Sequence, residues 1–125
     1  MDKEKVLISD LESVKAAASQ ILDNSFRCVV VVNAAGKVKG VFSEGDILRA
    51  MVEGTDPHAP LKSIMRPSFH YLSKRDLHKA FLLIKKFGIT LIPIVDKEFM
   101  LQDIVTFFDL VPYLKMTKQR TTKSR

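Results

Sequence analysis

The chain lies over itself at an offset of 63 residues without a gap. Gly40-Val41-Phe42-Ser43-Glu44-Gly45-Asp46 falls on Asp103-Ile104-Val105-Thr106-Phe107-Phe108-Asp109, and the same offset sets Ala17 on Ala80, Ile21 on Ile84, Phe26 on Ile89 and Val32 on Val95. A unit this small cannot bury its own apolar face and must pack on its sister. At 125 residues and 46% hydrophobic, the chain therefore reads as one fused module with a single core, too short for two independent domains. The groove between two related units is a natural place for a ligand.

Charge and special residues remove several function classes. The formal net charge is +6, but five bases and no acids lie between Lys115 and Arg125, and without that tail 15 basic residues face 14 acidic ones. The body is close to neutral, and the tail reads as a disordered, solvated end, with nucleic-acid binding as its alternative use. No run of about eighteen apolar residues suggests a membrane span, and the start lacks a signal-peptide core, so a cytoplasmic location is expected. Cys28 sits in the apolar run Cys28–Val32, where a packed small hydrophobe is expected. His58, His70 and His78 share no metal-ligand spacing, and no metal is assigned. No Ser-His-Asp or Cys-His arrangement and no glycine-rich phosphate loop appears, so no catalytic residue is assigned either.

Each repeat reads as strand, helix, two strands and helix. In the first, Val6-Leu7-Ile8 is a short strand, Ser9 and Asp10 offer caps, and Val14, Ala17, Ala18, Ile21 and Leu22 form a helical stripe ended by Asn24 and Ser25. Phe26 to Val32 lacks polar alternation, as in a strand covered on both faces, and Asn33 to Gly36 turns the chain into Lys37 to Phe42. A helix follows over Ile47 to Val52. The second repeat runs from Phe69-His70-Tyr71-Leu72 through a cap at Ser73 to Asp76 and a stripe of Leu77, Ala80, Phe81, Ile84 and Phe87 to Gly88. Strands Ile89 to Val95 and Met100 to Thr106 come next, with Pro93 favouring an edge or irregular place. A linker at 54–60 and a short helical run, Leu61 to Met65 ended by Pro67, join the copies. No similar run precedes the first copy, so the chain reads as a minimal form or, rather better, as a piece of a longer protein.

Two βαββα units in tandem, each with Gly or its counterpart, two hydrophobics, Ser/Thr, two residues and Asp leading from the last strand into the last helix, resemble the cystathionine-β-synthase (CBS) domain pair, or Bateman module. The resemblance covers roughly residues 6 to 114, and the phrase Leu61-Lys62-Ser63-Ile64-Met65-Arg66-Pro67 is similar to the short helix that precedes a repeat in such modules. It implies an α/β (α+β) fold with the repeats packed sheet to sheet, helices outside, and a pseudo-two-fold axis. Residues 1–60 form the first repeat with its linker, 61–114 the second, and 115–125 the tail. It also implies a regulatory module that senses AMP, ADP or ATP without catalysis of its own. The alternatives are a structural dimerisation unit with vestigial grooves, or a module for S-adenosylmethionine, NAD or nucleic acid. A homodimer is implied, with Leu110, Val111, Ile47 and Met51 as interface residues, as is a fused or separate enzyme or transporter domain as the regulated partner.

The residues of the phrase have a readable chemistry. A carboxylate just inside a helix start can accept from both hydroxyls of a ribose, and a Ser or Thr three residues earlier lies beside free N–H groups that welcome a phosphate. The candidate ligand-binding residues are therefore Asp46 and Asp109 for ribose, Ser43 and Thr106 for phosphate, and Gly40 for close approach. The resemblance also implies Arg27, at the head of the first repeat's second strand, as a phosphate-reaching cation. The competing role for Ser43, Asp46, Thr106 and Asp109 is helix capping alone. Asp103 in place of Gly40 and Thr90 in place of Arg27 make the first groove the better anion site. Lys74 and Arg75 could restore positive charge at the second, or could form a solvated face. Phe107 and Phe108 are expected in core or dimer contact rather than in base stacking.

Overall fold

The structure is a computed structural model that describes residues 3–66 and 68–112, so Pro67 and the basic tail lie outside the described residues. The first repeat contains β1 (Leu7–Ser9), α1 (Val14–Asp23), β2 (Cys28–Val32), β3 (Val38–Ser43) and α2 (Glu44–Val52). The second contains α3 (Leu77–Phe87), β4 (Leu91–Val95) and β5 (Leu101–Thr106), followed by a 3-10 turn at Phe107–Leu110. β1 pairs parallel with β2 and β2 antiparallel with β3, while β4 and β5 form an antiparallel pair.

Side-chain alternation explains why the strands carry unbroken apolar runs. Val29 and Val31 of β2 point to α1, meeting Ala17 and Ile21, whereas Cys28 and Val30 point the other way, into a cluster with Leu91, Val95 and Ile104 of the second repeat. β4 does the same in reverse: Ile92 and Ile94 meet Ala80 and Leu110, and Leu91 and Val95 meet the first repeat. The two sheets thus face each other with helices outside, so each central strand is covered on both faces. Backbone bonds repeat the symmetry. Glu44 N–H donates to the Arg27 carbonyl at 3.1 Å, and its counterpart Phe107 N–H donates to the Thr90 carbonyl at 3.1 Å. Even the irregularity in strand pairing recurs, between Val31 and Val32 and again between Ile94 and Val95.

Local chemistry sets the element ends. Ser13, rather than Ser9 or Asp10, caps α1 by accepting from Ala16 N–H, and the Ser9 hydroxyl instead accepts from Leu11 N–H in the turn before it. Asp76 caps α3, and Gly88 closes it in the left-handed conformation. Asn33 Oδ1 accepts from Ala35 and Lys37, and Asp96 Oδ1 accepts from Glu98 and Met100, so the hairpins share one side-chain-stabilised turn.

Several sequence expectations are corrected. Phe69–Leu72 makes no strand, only a single parallel bridge from Leu72 to Ile94. Leu72 N–H donates to the Pro93 carbonyl and Val95 N–H to the Leu72 carbonyl. Pro93 thus turns towards this segment the edge where its own N–H would extend the ladder, and it has none to offer. The bridge also matches Ile8 with Val31 in the first repeat, so Leu72 stands 64 rather than 63 residues from its counterpart. The ungapped offset holds from the first long helix onward, not in the leading strand. Next, a 3-10 turn at Lys3–Val6 precedes β1, so Val6 belongs to that turn, and Leu61 to Met65 shrinks to a 3-10 turn at Leu61–Ser63. The last helix begins as the 3-10 turn Phe107–Leu110. Finally, Leu110 is 1% exposed inside the second repeat's own core and has no surface to give a dimer interface.

Candidate functional site

A cleft of about 790 Å³ opens where α2, the linking segment and the start of β4 converge. Its wall from the first repeat includes Arg27, Ser43, Asp46 and Arg49; the linker adds Ile64, Met65 and Arg66; the second repeat adds His70, Phe87, Ile89 and Thr90. Three of the six sequence-selected residues, Arg27, Ser43 and Asp46, therefore meet in one cleft. Thr106 and Asp109 stand together at the second repeat's helix start, away from it.

Gly40 has another use. A Cβ at this position would lie 2.5 Å from the Met65 methyl, so the missing side chain makes room for the linker rather than for a ligand, and Gly40 does not line the cleft. Met65 in turn presents itself to the cleft.

Asp46 is held by a capping box. Its Oδ2 accepts from Ser43 N–H at 2.8 Å and from the Ser43 hydroxyl at 2.9 Å, and its Oδ1 pairs with Arg49 Nη1 at 3.2 Å. A carboxylate offers about four lone-pair positions, so three protein donors leave one on Oδ1. Arg27 stands exposed at the cleft's edge with φ 61°, a left-handed backbone uncommon for a residue with a side chain. That kink delays β2 until Cys28, two residues later than the apolar run predicts. Strained backbones of this kind cost of order 1–3 kcal/mol and cluster at ligand sites.

At the cleft floor, the Thr90 hydroxyl donates to the Phe26 carbonyl and lies 3.5 Å from Cys28 Sγ. Burial pushes the Cys28 thiol up to about 11, with the Thr90 contact opposing and the Asp46 charge adding to the rise. Two further parts of the cleft escaped sequence reading. Arg66 adds a cation from the linker, and His70 stacks on Phe87 with ring centroids 4.0 Å apart. The 16 residues between that pair carry no periodic signal; Arg66 was in the linking phrase, but only the phrase's helical character was legible.

The second repeat's helix start is different. Asp109 Oδ2 accepts from Thr106 N–H at 2.7 Å and from its hydroxyl at 3.3 Å, while Oδ1 lies 3.6 Å from Arg75 Nη2. Arg75 also reaches Asp103 at 3.6 Å, and Lys3 reaches Asp103 at 3.4 Å. The backbone N–H of Ile104, against the opposing effect of burial and with help from Lys3 and Arg75, holds the Asp103 carboxyl below its ordinary range. Arg75 is thus an ion-pair partner and not merely a solvated charge. Lys3 meets Asp103 where Met65 meets its counterpart Gly40, so the N-terminal segment stands towards the second repeat as the linker stands towards the first. Phe108 packs edge-on against Phe26 across the repeats at 5.7 Å, yet remains half exposed, as does Val111.

The family description "CBS domain" matches residues 1–53. The chain is 32% identical over 88 residues to the magnesium transporter MgtE of Thermus thermophilus, a match that spans 70% of this chain and 18% of the transporter. Among solved structures it resembles a CBS domain protein from Pyrobaculum aerophilum complexed with AMP, at 22% identity and a TM-score of 0.68 over 87% of this chain and 88% of that one. It also resembles the cytosolic domain of the Mg2+ channel MgtE in complex with ATP, at 25% identity and a TM-score of 0.66 over 86% of this chain and 44% of that one. Among the described residues no helix is long and apolar enough to cross a membrane.

Proposed function

Because this chain belongs to the CBS domain family and folds as a tandem CBS pair, we propose that it is a regulatory module that binds an adenosine nucleotide, AMP, ADP or ATP, in its first cleft and performs no chemistry itself. The observation that carries the reading is convergence: the guanidinium groups of Arg27 and Arg66, a capped carboxylate and an apolar wall come from two repeats and the linker into one space. The remaining lone pair of Asp46 Oδ1 suits a ribose hydroxyl. Arg27 and Arg66 suit phosphate, and Ile64, Met65 and Ile89 suit the base. AMP and ATP in related structures support the ligand class. Binding that touches both repeats favours whichever arrangement of them presents these groups together, and a partner enzyme or transporter domain would read that arrangement. A homodimer through the exposed helical faces is part of this reading.

Titration calorimetry with AMP, ATP, S-adenosylmethionine and NAD tests it. The expected result is heat with an adenine nucleotide, and about a tenfold loss of affinity in Arg27→Asn, which tolerates the left-handed backbone but removes a charge-assisted contact. No heat from any of them with a folded sample overturns the proposal. A second reading, a structural module with vestigial grooves, draws on the capping boxes, since both carboxylates already serve the fold. It predicts a melting temperature indifferent to excess nucleotide, where a binding module melts higher by mass action.

A further inference from the structure

The two outer helical layers carry opposite charge. Across 11–23 and 44–56, which hold α1 and α2, six acidic residues stand against only Lys15 and Arg49; Glu44, Asp46, Glu53 and Arg49 of these also line the cleft, and Glu12, Asp23, Asp56 and Lys15 lie away from it. Across 74–87 and 107–112, which hold α3 and the last turn, Lys74, Arg75, Lys79, Lys85 and Lys86 face only Asp76 and Asp109. The near-neutral body thus conceals a dipole between repeats. Both layers also expose large apolar side chains: Leu48 at 61% and Met51 at 70% on α2, and Leu82 at 50% on α3. Apolar groups ringed by charge are the anatomy of a protein contact surface.

We infer that two copies of this chain associate head to tail, the acidic α1/α2 layer of one lying on the basic α3 layer of the other. The occupant follows from self-complementarity: a two-fold axis makes the α2-to-α3 contact twice, attractive both times. The head-to-head alternative sets acid on acid and base on base, repulsive both times. The inference rests on the homodimer reading above and adds the orientation, which that reading leaves open.

Cross-linking at engineered cysteines tests it in the full chain. Leu48→Cys and Leu82→Cys are made separately in a Cys28→Ala background, and each is checked for a cooperative melt. Each is then treated with a short bismaleimide alone and after the two are co-refolded, with molar mass measured by light scattering. Cross-links confined to the mixture are the expected result. Cross-links in each variant alone would overturn the orientation in favour of head to head. A dimer with no cross-link in any sample would overturn the surface. A monomer at all concentrations would overturn the homodimer reading together with the inference. Lys79→Glu with Lys85→Glu separates the orientations without cysteines: it should weaken the head-to-tail dimer by roughly tenfold at low salt. Unchanged or tighter association would count against the inference.

Discussion

The linker end Met65–Arg66 and the N-terminal Lys3 stand in matching relation to the two repeats, and they leave very different surroundings behind them. At the first repeat Gly40 admits the Met65 methyl, and the linker, Arg27 and the capped Asp46 frame an open cleft. At the second, Asp103 occupies the Gly40 position, Lys3 and Arg75 converge on it, and Arg75 continues to Asp109. One substitution in a duplicated strand therefore decides whether a neighbouring segment is received by packing or by ion pairing. The same capping box serves in both places, so capping geometry does not by itself make a ligand site.

Exchanging the two residues is the strongest way to break this contrast. Gly40→Asp brings a carboxylate into a buried position already filled by Met65, and it should cost about 2–4 kcal/mol in urea unfolding. The reciprocal Asp103→Gly loses only half-exposed ion pairs and some backbone rigidity, and should cost about 1 kcal/mol. Equal losses would mean that the two positions are not packed differently.

Cys28 and its counterpart Leu91 give the next test. The raised thiol keeps its proton in the fold while the unfolded chain ionises near 9.0, so its contribution is fully present below pH 9 and is lost as pH rises towards 11. Stability should fall by about 2–3 kcal/mol across that window, and Cys28→Val should flatten the fall. A profile unchanged by the substitution would show that the thiol is not the group responsible.

The caps come third. Asp46→Asn and Asp109→Asn should each lose about 1 kcal/mol of helix-start stability, but only the first should also weaken nucleotide binding in calorimetry. If both variants bind equally well, the first cleft has no claim over the second.

Acid titration has the smallest expected effect. The lowered Asp103 carboxyl contributes stability above its ordinary value of 3.8, and that contribution is lost as pH falls below 3.8 through the lower folded value. Because the pairs are half exposed, Asp103→Asn should flatten this loss by less than about 1 kcal/mol, and salt should reduce it further.

Much of the architecture was legible because it is written in local patterns. The offset exposed the duplication, the unbroken apolar runs marked strands covered twice, and Ser43-Glu44-Gly45-Asp46 announced a capped helix start whose side chains do line a cleft. Phe69–Leu72 was misread because strand-forming residues do not ensure a ladder when the neighbouring strand presents a proline. Gly40 was misread because a missing side chain declares space without declaring its occupant. Leu110 was misread as surface because the curl of a one-turn helix into its own core depends on neighbours distant in sequence.

What the sequence determined by itself, then, is the repeat, the strand and helix periods, the caps and the charges, all set by residues within a few positions of one another. Only the tertiary structure decided which groove stays open, that Arg66 and the His70–Phe87 stack join it, and that acid and base segregate onto opposite helical layers. Those outcomes depend on contacts between segments far apart along the chain, and the energy of such a contact depends on a geometry that exists only once both sheets have packed.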